Sequence, residues 1–205
     1  MKLKLHWALC VGVLLCVACD RATTGARIPV YDQPQLALVV IDAQQGFLDA
    51  GGRLSIARSQ VDGLIAATNR LVGGAPSLGV NIAFVTSESP PGGAIDGRIA
   101  QGASPVFAKS RADAFSNPEL DRFLRSRSID HLVLAGVFAD RCVYYTAVGA
   151  MNRGYKVQVV ADAIGAASDE RREHAIRGLR QEGAEIIDSE RVLAEWTRRK
   201  RYLSR

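Results

Sequence analysis

Apolar positions fall into two alternating patterns from residue 36 onward. Leu36-Ala37-Leu38-Val39-Val40-Ile41 is apolar at every position and stops at Asp42. A run of that kind predicts a central strand buried on both faces, because a strand with one wet face would alternate. The spacing then changes. Val61, Leu64, Ile65, Thr68, Leu71 and Val72 share one side of a helix predicted over residues 55–72. Further strands are predicted at residues 80–85, at 105–108 ending on Lys109, at 131–135 ending on Gly136, at 156–161 ending on Asp162, and at 184–187. Helices are predicted between them. One opens at Asn117 with Pro118 in its first turn, which suits both residues. Another spans 139–153 and closes at Gly154. The last two span 170–182 and 190–199. Residues 87–104 are rich in Gly and Pro with little period, and a loop of that length in a compact domain is usually functional. Strands alternating with helices predict an α/β domain, a mostly parallel sheet with crossover helices on both faces. In such sheets ligands bind beyond the carboxyl ends of the strands. Asp42, Lys109 and Cys142 fall at or near those ends.

The first residues follow another logic. Lys2 and Lys4 form a basic head, and residues 7–18 form an apolar body without charge. The body is too short to span a bilayer comfortably. With a small residue before the break, these are the parts of a secretory signal; an uncleaved N-terminal anchor is the alternative. Leu15-Cys16-Val17-Ala18-Cys19 resembles a bacterial lipobox, with Cys16 where Leu is usual. That resemblance implies a signal peptide over residues 1–18, lipid on Cys19 and an exported, membrane-anchored lipoprotein. Asp20 resembles a retention signal for the periplasmic face of the inner membrane, if the source is Gram-negative. Residues 19–35 are predicted to be a tether, and residues 36–205 the folded domain.

With 205 residues, 48% hydrophobic and 23% charged, the chain excludes a disordered polymer, a collagen-like repeat and a disulfide-dense mini-protein. Loss of residues 1–18 would take Lys2 and Lys4 and no acid, lowering the net charge from +5 to +3. That balance gives no electrostatic case for nucleic acid. Of four cysteines, only Cys142 lies outside the leader and its end. A lone thiol in an oxidising compartment is either a small buried hydrophobe or a reactive group.

Gly136-Val137-Phe138-Ala139-Asp140-Arg141-Cys142 reads as a strand, a tight turn and a helix start. A thiol there meets unpaired backbone amides and the positive end of the helix dipole, which favour the nucleophilic thiolate. The same amides can hold an oxyanion. Asp42 and Lys109 could each be a cap or half of an ordinary ion pair. Together with Cys142 they supply the nucleophile, base and orienting cation of covalent catalysis.

These segments resemble the isochorismatase-like cysteine hydrolases, the superfamily that includes nicotinamidases and carbamoylsarcosine amidases. The resemblance covers roughly residues 35–189. It rests on residues 39–47 (the strand with its Asp and a following aromatic), 109–115 (the Lys motif), 136–150 (the nucleophile motif), and 154–157 and 159–163. It implies a three-layer Rossmann-like fold and a triad of Asp42, Lys109 and Cys142. It also implies a cis peptide between Val137 and Phe138, with the Phe138 and Cys142 amides forming an oxyanion hole. Phe47, Phe115 and Phe138 are candidate substrate contacts, although Phe138 could equally point into the core. The implied reaction is C–N hydrolysis of a small amide or ureide through a thioester. An isochorismatase-type ether hydrolase, a catalytically silent binding lipoprotein and a redox-responsive thiol protein are the alternatives. A homo-oligomer is implied by the family.

The nicotinamidases hold a metal through an Asp and several His near the second strand and the loop after it. Residues 86–91 contain no His, while His131 and His174 lie far along the chain and His6 lies in the leader. No metal and no other cofactor is therefore predicted, and nicotinamide is a poor candidate substrate.

Overall fold

The strand predicted at the start of the domain is β1 (Leu36–Ile41), and its side chains divide between two cores. Leu36, Leu38 and Val40 enter one, and Ala37, Val39 and Ile41 enter the other. That division is what an unbroken apolar run requires, since successive residues of a strand point to opposite faces. The structure is a computed structural model that describes residues 35–49, 51 and 54–204. The predicted signal peptide, Cys19 and most of the predicted tether lie outside the described residues.

Around β1 stand β2 (Asn81–Ser87), β3 (Val106–Lys109), β4 (His131–Val137), β5 (Lys156–Gly165) and β6 (Glu185–Ile187). They form one sheet in the order β3-β2-β1-β4-β5-β6, and every pairing is parallel. The helices are α1 (Gln45–Leu48), α2 (Arg58–Gly74), α3 (Pro118–Ser126), α4 (Tyr144–Met151), α5 (Asp169–Gln181) and α6 (Ser189–Leu203). Leu64 and Leu71 of α2 and the fully buried Trp196 of α6 cover one face. Leu120 and Leu124 of α3, Ala147 and Ala150 of α4, and Leu179 of α5 cover the other. The result is the expected three-layer α/β fold, with helices on both faces of the sheet.

Local chemistry fixes the helix starts. The side chains of Asn117, Ser168 and Asp188 accept hydrogen bonds from the backbone N–H groups of Glu119, Arg171 and Arg191. Two elements differ from expectation. The helix predicted over 139–153 is divided: residues 139–143 wind as a wider π turn, in which Phe138 O accepts from Arg141 N and Val143 N, and α4 begins only at Tyr144. Strand β5 runs beyond Asp162 to Gly165 through a register shift against β4. Asp162 does not end it, because its carboxylate accepts from Ser189 N and Ser189 Oγ and so fastens the start of α6.

The sheet order places β1 between β2 and β4, where the chain path reverses direction across the sheet. Crevices in open α/β sheets form at that switch point, beyond the strand ends. Asp42 follows β1, and the π turn carrying Cys142 follows β4.

Candidate active site

Asp42 leaves β1 with φ of 49°, in the left-handed region that Asp adopts more readily than most residues. Its N–H donates to Val85 O of β2 at 2.8 Å, fixing the turn. The neighbouring β4 approaches closely at Gly136, whose φ is 115°. A Cβ there would sit 1.9 Å from Ile41 O, so the end of β1 and the nucleophile turn can meet only over a glycine.

Lys109 ends β3 and reaches across β2 to the same point. Its Nζ lies 2.8 Å from Asp42 Oδ2, and both side chains are 1% exposed. The same Nζ donates to Cys142 Sγ at 3.4 Å. The structure thus brings Asp42, Lys109 and Cys142 together from three strand ends. Burial raises the Asp42 pKa above its ordinary value, while the Lys109 ammonium opposes the rise. Burial, then the negative charge of Asp42, push the Cys142 thiol up to about 11, with Lys109 again opposing. The thiolate expected from a helix-start position is therefore not the resting form at neutral pH. Cys142 sits in the π turn ahead of α4, where desolvation and the Asp42 charge oppose its ionisation.

The group opens on a cavity of about 520 Å³, a size suited to a small molecule. Phe47 and Phe138 line it and meet edge to face, with ring centroids 5.5 Å apart. Phe138 therefore lines the cavity while also packing against the core. The Val137–Phe138 peptide is cis. Phe115 is a correction: it does not line this cavity. It lies buried in the core beside α3 and α4, stacked on Tyr155 at 5.8 Å with Arg153 over its ring. Asp113 and Thr146 explain the direction. Their side chains accept from Phe115 N and Ala114 N and turn the segment inward just after Lys109.

The long loop after β2 is tied to the site by a side chain that carries no chemistry. Gln44 is 1% exposed. Its Oε1 accepts from Ser87 N at 2.7 Å, and its Nε2 donates to Ser87 O and Gly93 O. Backbone bonds from Gly46 N to Gly92 O and from Asp96 N to Ala43 O continue the seam. Ser87, Ser89 and Pro90 thereby become cavity wall. Leu54, Arg111, Asp140, Arg141 and Arg171 also line the cavity and had no assigned role. Asp140 and Arg141 are legible beside Cys142 in the nucleophile motif, but nothing in the sequence joins Arg171 of α5 to that turn.

His131 begins β4 half-buried, where burial lowers its pKa, and His174 is exposed on α5; neither lines the cavity. Among the described residues no three His, Cys, Asp or Glu side chains converge as a metal site. Among these residues the donor set of a nicotinamidase-type metal is not built.

The family model described as the Isochorismatase domain matches residues 36–191. The nicotinamidase of Escherichia coli K12 is 33% identical over 79 residues, covering 38% of this chain and 35% of that enzyme. The N-carbamoylsarcosine amidase of an Arthrobacter species is 38% identical over 72 residues, covering 35% of this chain and 27% of that enzyme. The crystal structure of a pyrazinamidase/nicotinamidase from Streptococcus mutans UA159 is similar with a TM-score of 0.63 and 27% identity, over 75% of this chain and 100% of that one. The chain spans about half the length of the curated relatives it matches, with first matches from 34% to 64%. The family match runs through all three strand ends that meet at the cavity, and the sheet around them has the family's architecture: the chain belongs to the isochorismatase family.

Proposed function

We propose that the chain is a cysteine hydrolase of a small amide or ureide, with Cys142 as nucleophile, Asp42 as base and Lys109 as the cation that orients both. The observation that carries this reading is the chain of contacts from Asp42 Oδ2 through Lys109 Nζ to Cys142 Sγ, 2.8 and 3.4 Å, facing the cavity. The amidase relatives support C–N hydrolysis as the reaction class.

The carbonyl end of the substrate lies against Sγ, beside the rings of Phe47 and Phe138. Asp42 takes the thiol proton as sulfur attacks the carbonyl carbon, a transfer helped by the raised carboxyl pKa. The oxyanion of the tetrahedral adduct is received by the backbone amides of Phe138 and Cys142. The C–N bond breaks, and the departing nitrogen takes the proton held by Asp42. A water then gives Asp42 a proton and adds to the thioester. The acid leaves as the proton returns to sulfur. Lys109 keeps its positive charge throughout and stabilises first the thiolate and then the carboxylate.

The test is ammonia or amine release from a panel of small amides and ureides, comparing wild type with Cys142→Ala. Turnover by the wild type alone supports the reading; turnover retained by Cys142→Ala overturns it. We further propose that the chain is exported with lipid on Cys19 and that its domain self-associates. Fatty-acid labelling of wild type against Cys19→Ala, and light scattering of the domain, test these two points.

A further inference from the structure

Among the described residues, four cationic side chains line the cavity, those of Lys109, Arg111, Arg141 and Arg171, against two carboxylates, Asp42 and Asp140. The carboxylates are spoken for. Asp42 holds Lys109 at 2.8 Å, and Asp140 holds Arg171, whose Nη2 and Nε lie 2.6 and 2.7 Å from Oδ2. Arg111 and Arg141 have no carboxylate partner among the described residues, and both are exposed. Their places in the chain tie them to the reacting groups. Arg111 is two residues beyond Lys109, and Arg141 is the residue before Cys142. The cavity thus has a nearly neutral floor, with the Asp42–Lys109 pair and the rings of Phe47 and Phe138, and two uncompensated guanidinium groups toward solvent.

We propose that the substrate carries a carboxylate, which Arg111 and Arg141 receive at the mouth while its amide carbonyl lies against Cys142. This rests on the amidase reading above and narrows its substrate class from any small amide to an anionic one. Two physical effects support it. Unpaired positive charge beside low-dielectric walls focuses the field and raises the local concentration of anions. The planar fork of an arginine also matches a carboxylate with two parallel hydrogen bonds, a geometry a lysine lacks. A cavity of about 520 Å³ is large enough for both ends of such a molecule and small enough to keep them a few atoms apart. The arrangement also divides the labour: the strand-end groups act on the carbonyl, and an arginine within each of two motifs selects the molecule.

The test uses two reagents that differ only in the group that matters, iodoacetate and iodoacetamide. Both form a thioether on Cys142 with loss of iodide, and free cysteine gives the reference ratio of their rate constants. The expected result is an iodoacetate-to-iodoacetamide ratio about tenfold above that of free cysteine at low salt, falling as salt rises. Arg111→Gln and Arg141→Gln should each lower it, and the double variant should bring it to the free-cysteine value. A wild-type ratio at or below that of free cysteine overturns the proposal, as does a double variant with the wild-type ratio. Failure here is distinct from failure of the amidase reading. The ratio reports charge selection, whereas turnover of any amide, lost in Cys142→Ala, reports the mechanism.

Discussion

Replacing Asp42 by Asn separates two effects that the intact site combines. The substitution keeps the shape and removes a negative charge. Asp42 Oδ2 and Cys142 Sγ are at most about 6.2 Å apart, since the legs through Lys109 Nζ measure 2.8 and 3.4 Å. At an effective dielectric of about 20, a unit charge at that distance is worth about 2.7 kcal/mol, or about two pKa units on the thiol. The thiol therefore falls from about 11 toward its ordinary value, and the thiolate takes over as counter-ion of Lys109. At about pH 7.5 the thiolate fraction rises about 100-fold, while its lower basicity returns about half of that exponent, leaving alkylation about tenfold faster. Amide turnover moves the other way, by a loss of about 10²–10⁴, because the proton acceptor is gone. The assay is the pH–rate profile of iodoacetamide alkylation beside turnover on the best panel substrate. Lys109→Met should shift the alkylation midpoint upward. An Asp42→Asn midpoint equal to or above that of wild type would refute the electrostatic argument.

Three further outcomes follow from the same geometry. Asp42 must be ionised to accept the thiol proton, and burial raises its pKa above the ordinary 3.8. Activity is therefore lost on acidification before an exposed carboxylate would protonate, and an acid limb of kcat/KM at or below 3.8 contradicts this. Gln44→Leu strips the bonds that hold Ser87 and Gly93. It should cost about 1–3 kcal/mol in a urea melt and raise KM by loosening the cavity wall; a wild-type melt would speak against the loop anchor. Gly136→Ala forces a Cβ to within 1.9 Å of Ile41 O at a φ of 115°. It should lower stability by at least about 3 kcal/mol, and a melting temperature near that of wild type would show that β1 and β4 can separate there.

The strands were legible because a parallel sheet buries both faces, and burial leaves unbroken apolar runs such as residues 36–41. Asp42, Lys109 and Cys142 were legible as ends of such runs, and their order fitted one rim of the sheet. Other features depend on contacts that spacing does not encode. Asp162 looked like a strand end because it is polar, yet its partner, Ser189, is 27 residues away. The division of residues 139–143 from α4 leaves no trace in helical periodicity, since the same side chains suit either winding. The nearness of Phe115 to Lys109 in sequence says nothing about direction, which Asp113 and Thr146 set. The loop after β2 has no apolar period of its own; it is ordered by the buried amide of Gln44. The unpaired charge at the mouth emerges only once Asp140 is seen to be engaged by Arg171 of α5.

The mechanism requires Cys142 to carry the acyl group of the substrate during turnover. The direct measurement is the intact mass of the enzyme quenched in acid while hydrolysing its best amide, followed by mapping of the modified peptide. The expected result is a mass increase equal to the acyl fragment, located on Cys142 and absent from Cys142→Ala. Steady turnover with the thiol still alkylatable in full and no adduct at any quench time, in an enzyme whose Cys142→Ala variant remains active, would contradict it.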